Sequence, residues 1–499
     1  MVSTAILLPA LAILLVSALL FHTQLRSKGS EPPLIKGYLP FLGVAINFLT
    51  DPGPFLAKLR QTKGWIYTVY VAGRKMTVVS DPIYGMKQVW TQGRVFSALD
   101  FFTFLNKQLF VYTDAINYNP AFQNALRTCV VKILSDKSKM AVIGHDLRQI
   151  YRSFLDEKSG FCEDSEVVEL YQFGRYKMYA ASAMSLFGPS FPVEELYRDY
   201  VGFEDNMMTF IRQTPYIFNP AGYKARARVL DRLGKFFIDQ NQSENSTELL
   251  RGLIAEFTKP EFSYTNQEDF AGYFLSIMFA TKSNSVPAAF WYLTYVIGDP
   301  ELKTEIVELI VKHYIKDKKD FDWDALYADQ LLVSCFKETA RLTANITSGR
   351  YITRDAVIKI ADPLHPVESG KPNTKDYYVH KGDSILMISN LVHWDPEAYP
   401  KPMKWIGKRF LPENDGVLAK HTEEWRSYVP WGGGGHMCPG RSLALIEAIT
   451  QVVYVLWYFE TEPVSELPEL VIKDKYGGGV LRPDRPFNVK FTRRSSPLA

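Results

Sequence analysis

The sequence predicts a mainly α-helical chain with a small β-rich lobe, an α+β fold. Three observations predict it. From about Asn119 to Arg350, apolar residues recur with a helical period and strand-like runs are scarce. Trp65 to Ala72 and Lys75 to Ser80 are rich in β-branched and aromatic residues and flank a turn at Gly73 and Arg74, a hairpin signal. Hydrophobic residues make up 47% and aromatic residues 14% of the chain, enough for one large core. No Pro-, Gly- or Ser-rich linker, repeat or low-complexity tract divides the 499 residues, so residues 46–499 read as one domain. A formal charge of +3 is near neutral for this length, and nothing in it points to nucleic acid.

The N-terminus is almost wholly apolar from Thr4 to Phe21. About 18 residues at a helical rise span ~27 Å, close to the thickness of a hydrocarbon core. A cleaved signal peptide is the competing reading. Against it, the start carries no basic residue, and no small-x-small cleavage site follows. Arg26, Lys28 and Lys36 come just after the run, and basic residues prefer the cytosolic side. Residues 1–25 are therefore expected to form a transmembrane anchor. Residues 26–45, with Pro32, Pro33 and Pro40, form a stiff hinge, and the remainder is cytosolic. The glycosylation triplets at Asn241, Asn245 and Asn345 should then stay unmodified.

Along the chain, Pro54 to Thr62 reads as a short amphipathic helix, and Asp81 with Pro82 caps a helix running to Trp90. Phe96 to Phe110, between the β-rich lobe and the helices after it, holds Phe101, Phe102, Phe104 and Phe110. Glu268 to Gly298 reads as one long helix following Asn266. Pro287 lacks an N–H, so the Ser283 carbonyl loses its partner and a kink is expected there. Glu338 and Arg341 lie three apart, on one helix face. The same spacing recurs at Glu195/Arg198, Glu248/Arg251 and Glu423/Arg426, which read as solvated pairs. Tyr377 to Met387, with Lys381, Gly382 and Asp383 in the middle, reads as a hairpin.

The most informative segment is Trp431 to Arg441, WGGGGHMCPGR. The apolar run after it, Ser442 to Phe459, reads as a helix. Glycines let a backbone pass close to a flat ligand. Cys438 lies at or just before the helix N-terminus, where the dipole and free N–H groups favour thiolate. A thiolate on such a loop suits axial ligation of a haem iron. A small buried hydrophobe, a disulfide and a zinc site compete with this reading. The cysteines Cys129, Cys162, Cys335 and Cys438 are few and scattered, and His436 with Cys438 is the only close His/Cys pair.

This segment resembles the haem-binding signature of the cytochrome P450 superfamily, Phe-x-x-Gly-x-Arg-x-Cys-x-Gly. Gly434, Cys438 and Gly440 match it, while Trp431 replaces the phenylalanine and His436 the arginine. The branch it resembles holds the steroid 7α- and 12α-hydroxylases and prostacyclin synthase. The resemblance covers roughly residues 35–495, with Ala180 to Gly188 like the end of the family's E helix and Gly477 to Pro486 like its C-terminal turn and strand. It implies haem b (iron protoporphyrin IX) with Cys438 as the metal ligand and His436 and Arg127 as partners of the propionates. It implies a structural triad in which Arg341 and Arg409 clamp Glu338 bidentately. Phe96 to Phe110 would correspond to a loop lining the substrate pocket, which Thr343 to Thr347 would also face, although membrane contact or simple packing also fits the phenylalanines. An NADPH-cytochrome reductase, and cytochrome b5 with it, would dock over the Cys438 loop through residues such as Lys132 or Arg441, with NADPH acting only through the reductase.

One departure bears on mechanism. Most oxygen-activating members carry an acid–alcohol pair on the distal helix that relays protons. In register, this chain has Ser283 and Asn284, and an amide relays protons poorly. The resemblance therefore leaves a monooxygenase open beside an isomerase or dehydratase of a peroxide that needs no reductase. A membrane-tethered protein without catalytic haem stands outside both. The expectation is a monooxygenase of the endoplasmic reticulum membrane acting on a bulky apolar substrate such as a sterol or terpenoid.

Overall fold

A computed structural model of the chain describes residues 30–495, apart from residues 38, 40, 157–158, 241–245, 367–371, 415–426 and 472–477. The expected anchor and the Asn241 and Asn245 triplets lie outside the described residues. Among the described residues, no helix is long and apolar enough to cross a membrane.

The β-rich lobe begins inside the segment expected as a hinge. There β1 (Leu34–Ile35) runs parallel to β2 (Ile66–Val71), and Thr68 donates its N–H to Pro33 O at 2.9 Å. The proline-rich stretch is thus bonded to the edge of the sheet. Helix α1 (Pro52–Lys63) covers β2, and the buried Tyr67 hydroxyl donates to Leu56 O at 2.9 Å. The hairpin of β2 with β3 (Arg74–Val79) turns on Ala72 and Gly73, one residue earlier than expected. Their φ values of +45° and +84° are those a two-residue turn needs to match strand twist. The Asp81 cap holds: its carboxylate accepts N–H groups from Ile83 and Gly85, before α2 (Gly85–Thr91), and from Ala361.

Phe96 to Phe110 is not a loop. Phe96–Ser97 forms a short strand, and α3 (Leu99–Phe110) follows it. Asp100 in the first turn and Lys107 in the last complement the helix dipole. Helices then dominate, as the periodicity predicts: α4 (Pro120–Leu134), capped by Asn119, α5 (Leu170–Phe187), ended by Gly188, and α6 (Val193–Asp205). The long distal helix is two helices, α7 (Gln267–Lys282) and α8 (Ser285–Ile297). A reciprocal capping box between Asn266 and Asp269 starts α7. The break at Ser283 and Asn284 lies upstream of Pro287, because a proline disrupts the turn before it. Helix α8 is apolar all round and buried, with Trp291, Tyr292 and Leu293 sealed from solvent.

Helix α9 (Gln330–Thr343) leads into β4 (Ala344–Ile352), followed by β5 (Ala356–Pro366), β6 (Pro372–Val379) and β7 (Ser384–Ile388). Tyr377 to Met387 does hold two strands, but they do not pair with each other. β6 pairs with β5, and β7 pairs with β3 and β4. The connecting turn bonds outward instead: Gly382 N–H donates to Ile352 O, and Ile352 N–H to Asp383 O. Helix α10 (Arg441–Tyr458) and strand β8 (Gly478–Val480) complete the frame. The main sheet runs β1-β2-β3-β7-β4-β8, with Phe96–Ser97 also on β4.

Candidate active site

The loop before α10 is built by backbone bonds and ring packing. Val429 N–H donates to His393 Nε2 at 3.0 Å, and Cys438 N–H donates to Trp431 O at 3.0 Å. Trp431 stacks on Phe336 of α9, with centroids 6.1 Å apart. The glycines serve more than approach to a ligand. A Cβ on Gly433 would lie 2.3 Å from the Trp90 ring, and one on Gly434, at φ +63°, would lie 2.5 Å from Trp90 O. Gly435 faces open space, and Gly440 lies against the Cys438 sulfur. Cys438 is half-buried, two residues before the Gly440 cap position is passed and α10 begins. Burial pushes its thiol up, against the pull of the Gly440 N–H and Arg441. The helix terminus alone therefore does not make a thiolate here. A bound cation would, since a coordinating thiol loses its proton.

The charge triad assembles as the motif implies. Arg341 donates Nε to Glu338 Oε2 at 2.7 Å and Nη2 to Oε1 at 3.0 Å. Arg409 does not grip with two prongs. Its Nε alone reaches both carboxylate oxygens at 3.0 Å, and its Nη1 and Nη2 hold Pro400 O and Lys404 O. All three side chains are sealed from solvent. Arg341 Nη1 also donates to His393 O at 2.6 Å. A bonded path thus runs from the triad through His393 to Val429 and the cysteine loop. The other Glu-x-x-Arg pairs do not form internally: Glu195 pairs with Arg232 and Glu248 with Lys139. Glu423 and Arg426 lie outside the described residues.

Beside Cys438 the chain gathers cations. Arg127 on α4 donates to Gly435 O. Arg350 on β4 is buried, with Nη1 on Ser348 Oγ at 3.0 Å and Gly349 O at 2.7 Å. His436 stands within reach of both their fields. Burial lowers its pKa first, and Arg350 and Arg127 lower it further. No carboxylate pairs with Arg127 or Arg350 among the described residues. Sequence reasoning missed Arg350, although it is the one charge in the run Leu342 to Ile352. Phe102 lies over His436, with centroids 5.5 Å apart.

The Ser283 hydroxyl at the helix break is buried and has no hydrogen-bond partner among the described residues. Asn284 Oδ1 accepts Val480 N–H at 2.9 Å, so this side chain is fastened to β8. A Cβ on Gly479, at φ +129°, would lie 2.2 Å from Asn284 Oδ1, which only glycine allows. Asn345 faces Gly479 in the strand register, is sealed from solvent, and has both side-chain amide atoms unpaired among the described residues. Phe110, Phe203 and Phe279 meet within 6.5 Å as an aromatic cluster.

The parts fit a planar dianionic iron cofactor. A half-buried thiol beside an open glycine, and a buried guanidinium without a carboxylate, leave one soft metal ligand and unneutralised charge for two acidic groups. The "Cytochrome P450" family profile matches residues 32–491. The chain is 26% identical over 527 residues to the 7-alpha-hydroxycholest-4-en-3-one 12-alpha-hydroxylase of Homo sapiens, covering 98% of each chain. It is 25% identical over 501 residues to the cholesterol 7-alpha-monooxygenase of Cricetulus griseus, covering 93% of this chain and 94% of that one. It is 27% identical over 492 residues to the prostacyclin synthase of Bos taurus, at the same coverage.

Proposed function

The chain belongs to the cytochrome P450 family and is a haem monooxygenase; from that premise we propose that it hydroxylates a bulky, sterol-like substrate at a membrane, with electrons from an NADPH-dependent reductase. The observation that carries the reading is the half-buried Cys438, set beside an open glycine and a cation cluster with no carboxylate of its own. Cys438 would hold the iron through its sulfur. Arg127, Arg350 and His436 would neutralise the propionates. When bound, the haem supplies a thiolate-ligated iron at which dioxygen is activated.

The chain's own residues divide the remaining work. The Glu338–Arg341–Arg409 triad holds the cysteine loop in place. The Ser283 hydroxyl, buried and free, holds and passes a proton at the helix break. Asn284 braces that break against β8 rather than carrying protons. The aromatic cluster of Phe110, Phe203 and Phe279 excludes water and suits a flat apolar body. The unpaired amide of Asn345 supplies one polar anchor for a hydroxyl or ketone. Relatives named for sterol substrates support that substrate class. The apolar run Thr4 to Phe21 and the exposed side chains of Ile217 and Phe218 support attachment to a membrane. Lys132 and Arg441, both exposed, would meet the reductase or cytochrome b5.

Purified holoprotein with reductase, NADPH and a panel of sterols, read by mass, tests the reading. Gain of one oxygen atom supports it. Conversion of a peroxide at full rate without NADPH or reductase would replace it with the rearrangement chemistry that Asn284 leaves open. The third reading, a tethered protein without catalytic haem, falls with family membership.

A further inference from the structure

Two opposite charges are buried in the helix bundle where no part of the site uses them. Lys282 is the last residue of α7, directly before the break at Ser283 and Asn284, and is 1% exposed. Glu447 lies on α10, the helix that follows Cys438, and is 0% exposed. Lys282 Nζ donates to Ser182 Oγ on α5 at 2.5 Å. Ser182 and Ser285 stand beside the Glu447 carboxylate. Ser285 spends its proton on Thr281 O, at 2.8 Å, so Ser182 is the hydroxyl left between the ammonium and the carboxylate. Neither Glu447 oxygen receives a well-formed hydrogen bond from the described residues.

Chemistry at the iron requires none of these three side chains, and an apolar core would cost less. Their placement gives them a different use. The helix break is pinned at one flank by Asn284 on β8. On its other flank, Lys282 ties the end of α7 to Ser182 on α5. We propose that Lys282, Ser182 and Glu447 form a buried strut of positioning residues that keeps the distal helix break in register with the helix that follows Cys438. The inference rests on Cys438 as the iron ligand.

The strut is sensitive to protons. Burial pushes Lys282 down to about 7, against the field of Glu447, and pushes Glu447 up. Lys282 also borders a cavity about the size of one water molecule. Facing it there are Tyr171, Arg175 and Tyr179 from α5 and Tyr197, Tyr200 and Glu204 from α6. The Tyr179 and Tyr200 hydroxyls are buried and unpaired. Among these groups Glu447 is the charge that acts on Lys282; Arg175 and Glu204 answer each other. A rise in pH through neutrality removes the ammonium proton and slackens the strut.

The test is infrared spectroscopy of the reduced, haem-loaded full chain under carbon monoxide, whose C–O stretch reads the distal surroundings without titrating itself. The wild-type band should shift between two positions from pH 6 to 8. Glu447→Gln should move the midpoint, and Lys282→Met with Glu447→Gln should fix one position at every pH. A wild-type band that ignores pH across this range overturns the proposal, whether or not the variants load haem. So does a double variant that loads haem and keeps the full shift. Failure of the ligand reading would show separately, as a wild-type Soret band lacking the thiolate position.

Discussion

Glu338 and Arg341 face each other as a two-pronged ion pair, at 2.7 and 3.0 Å, with no solvent on either side chain. Removing one partner leaves a buried charge unanswered, at about 3–5 kcal/mol. Glu338→Ala should therefore lose haem loading and most of its thermal stability. Arg341→Lys should lose nearly as much, because an ammonium cannot serve two oxygens and the His393 carbonyl together. Carbon monoxide difference spectra and melting curves of the two variants check this.

Cys438→Ala should abolish the thiolate Soret band and all turnover. The fold should persist, because Trp431 O loses no bond: the N–H it accepts belongs to the backbone. Far-UV circular dichroism close to wild type, together with an absent thiolate band, is the expected pair of results. A retained thiolate band would place the ligand on another cysteine.

The Glu338–Arg341 pair and the cysteine loop left local signals, while Arg409 joined that pair only through the family resemblance. Three residues along a helix put Glu338 and Arg341 on one face, and a glycine run with Pro439 announces a turn into a helix. Partners across the chain were not legible. Alternation marks Tyr377 to Met387 as strands, yet nothing local says that β6 seeks β5 while β7 seeks β3 and β4. Arg350 was hidden for the same reason: its meaning lies in its neighbours Arg127 and His436, which only folding supplies. The break at Ser283 was legible, because Pro287 has no N–H for the carbonyl four residues before it, though a full interruption into two helices exceeds the expected kink. The loop expected at α3 came from the family resemblance, although Asp100 and Lys107 mark the ends of a helix there.

Gly479→Ala should disturb the distal side without touching the cysteine. The new methyl would meet Asn284 Oδ1 at 2.2 Å, on a backbone at φ +129° that side chains rarely adopt. A cost of about 1–3 kcal/mol is expected. The thiolate band should survive, while product formed per NADPH consumed falls. An unchanged ratio would remove Asn284 from the role of brace.

Asp205 should shape stability at low pH. Burial alone would raise its carboxyl, but Arg175 and Arg482 overcome this and hold it below the usual range. A carboxyl depressed on folding contributes stability that is full above its unfolded value, near pH 4, and is lost as pH falls through the lower folded value. Melting temperature should therefore drop as pH falls below about 4, and Asp205→Asn should flatten that part of the profile.

Arg350→Met separates a haem-binding role from a structural one by the sign of its effect. A buried guanidinium without a carboxylate is a liability to the chain itself, and burial lowers its pKa accordingly. Methionine fills much of the same volume with no charge to desolvate. The haem-free chain should thus gain stability or hold level. The haem-loaded chain should weaken, because a charge-assisted hydrogen bond of about 1.5–3 kcal/mol is gone. Haem should then escape to apomyoglobin roughly ten- to a hundredfold faster, at ~1.4 kcal/mol per tenfold. If Arg350 served only the Ser348 and Gly349 contacts, both forms would lose stability together and the rate of haem escape would not change.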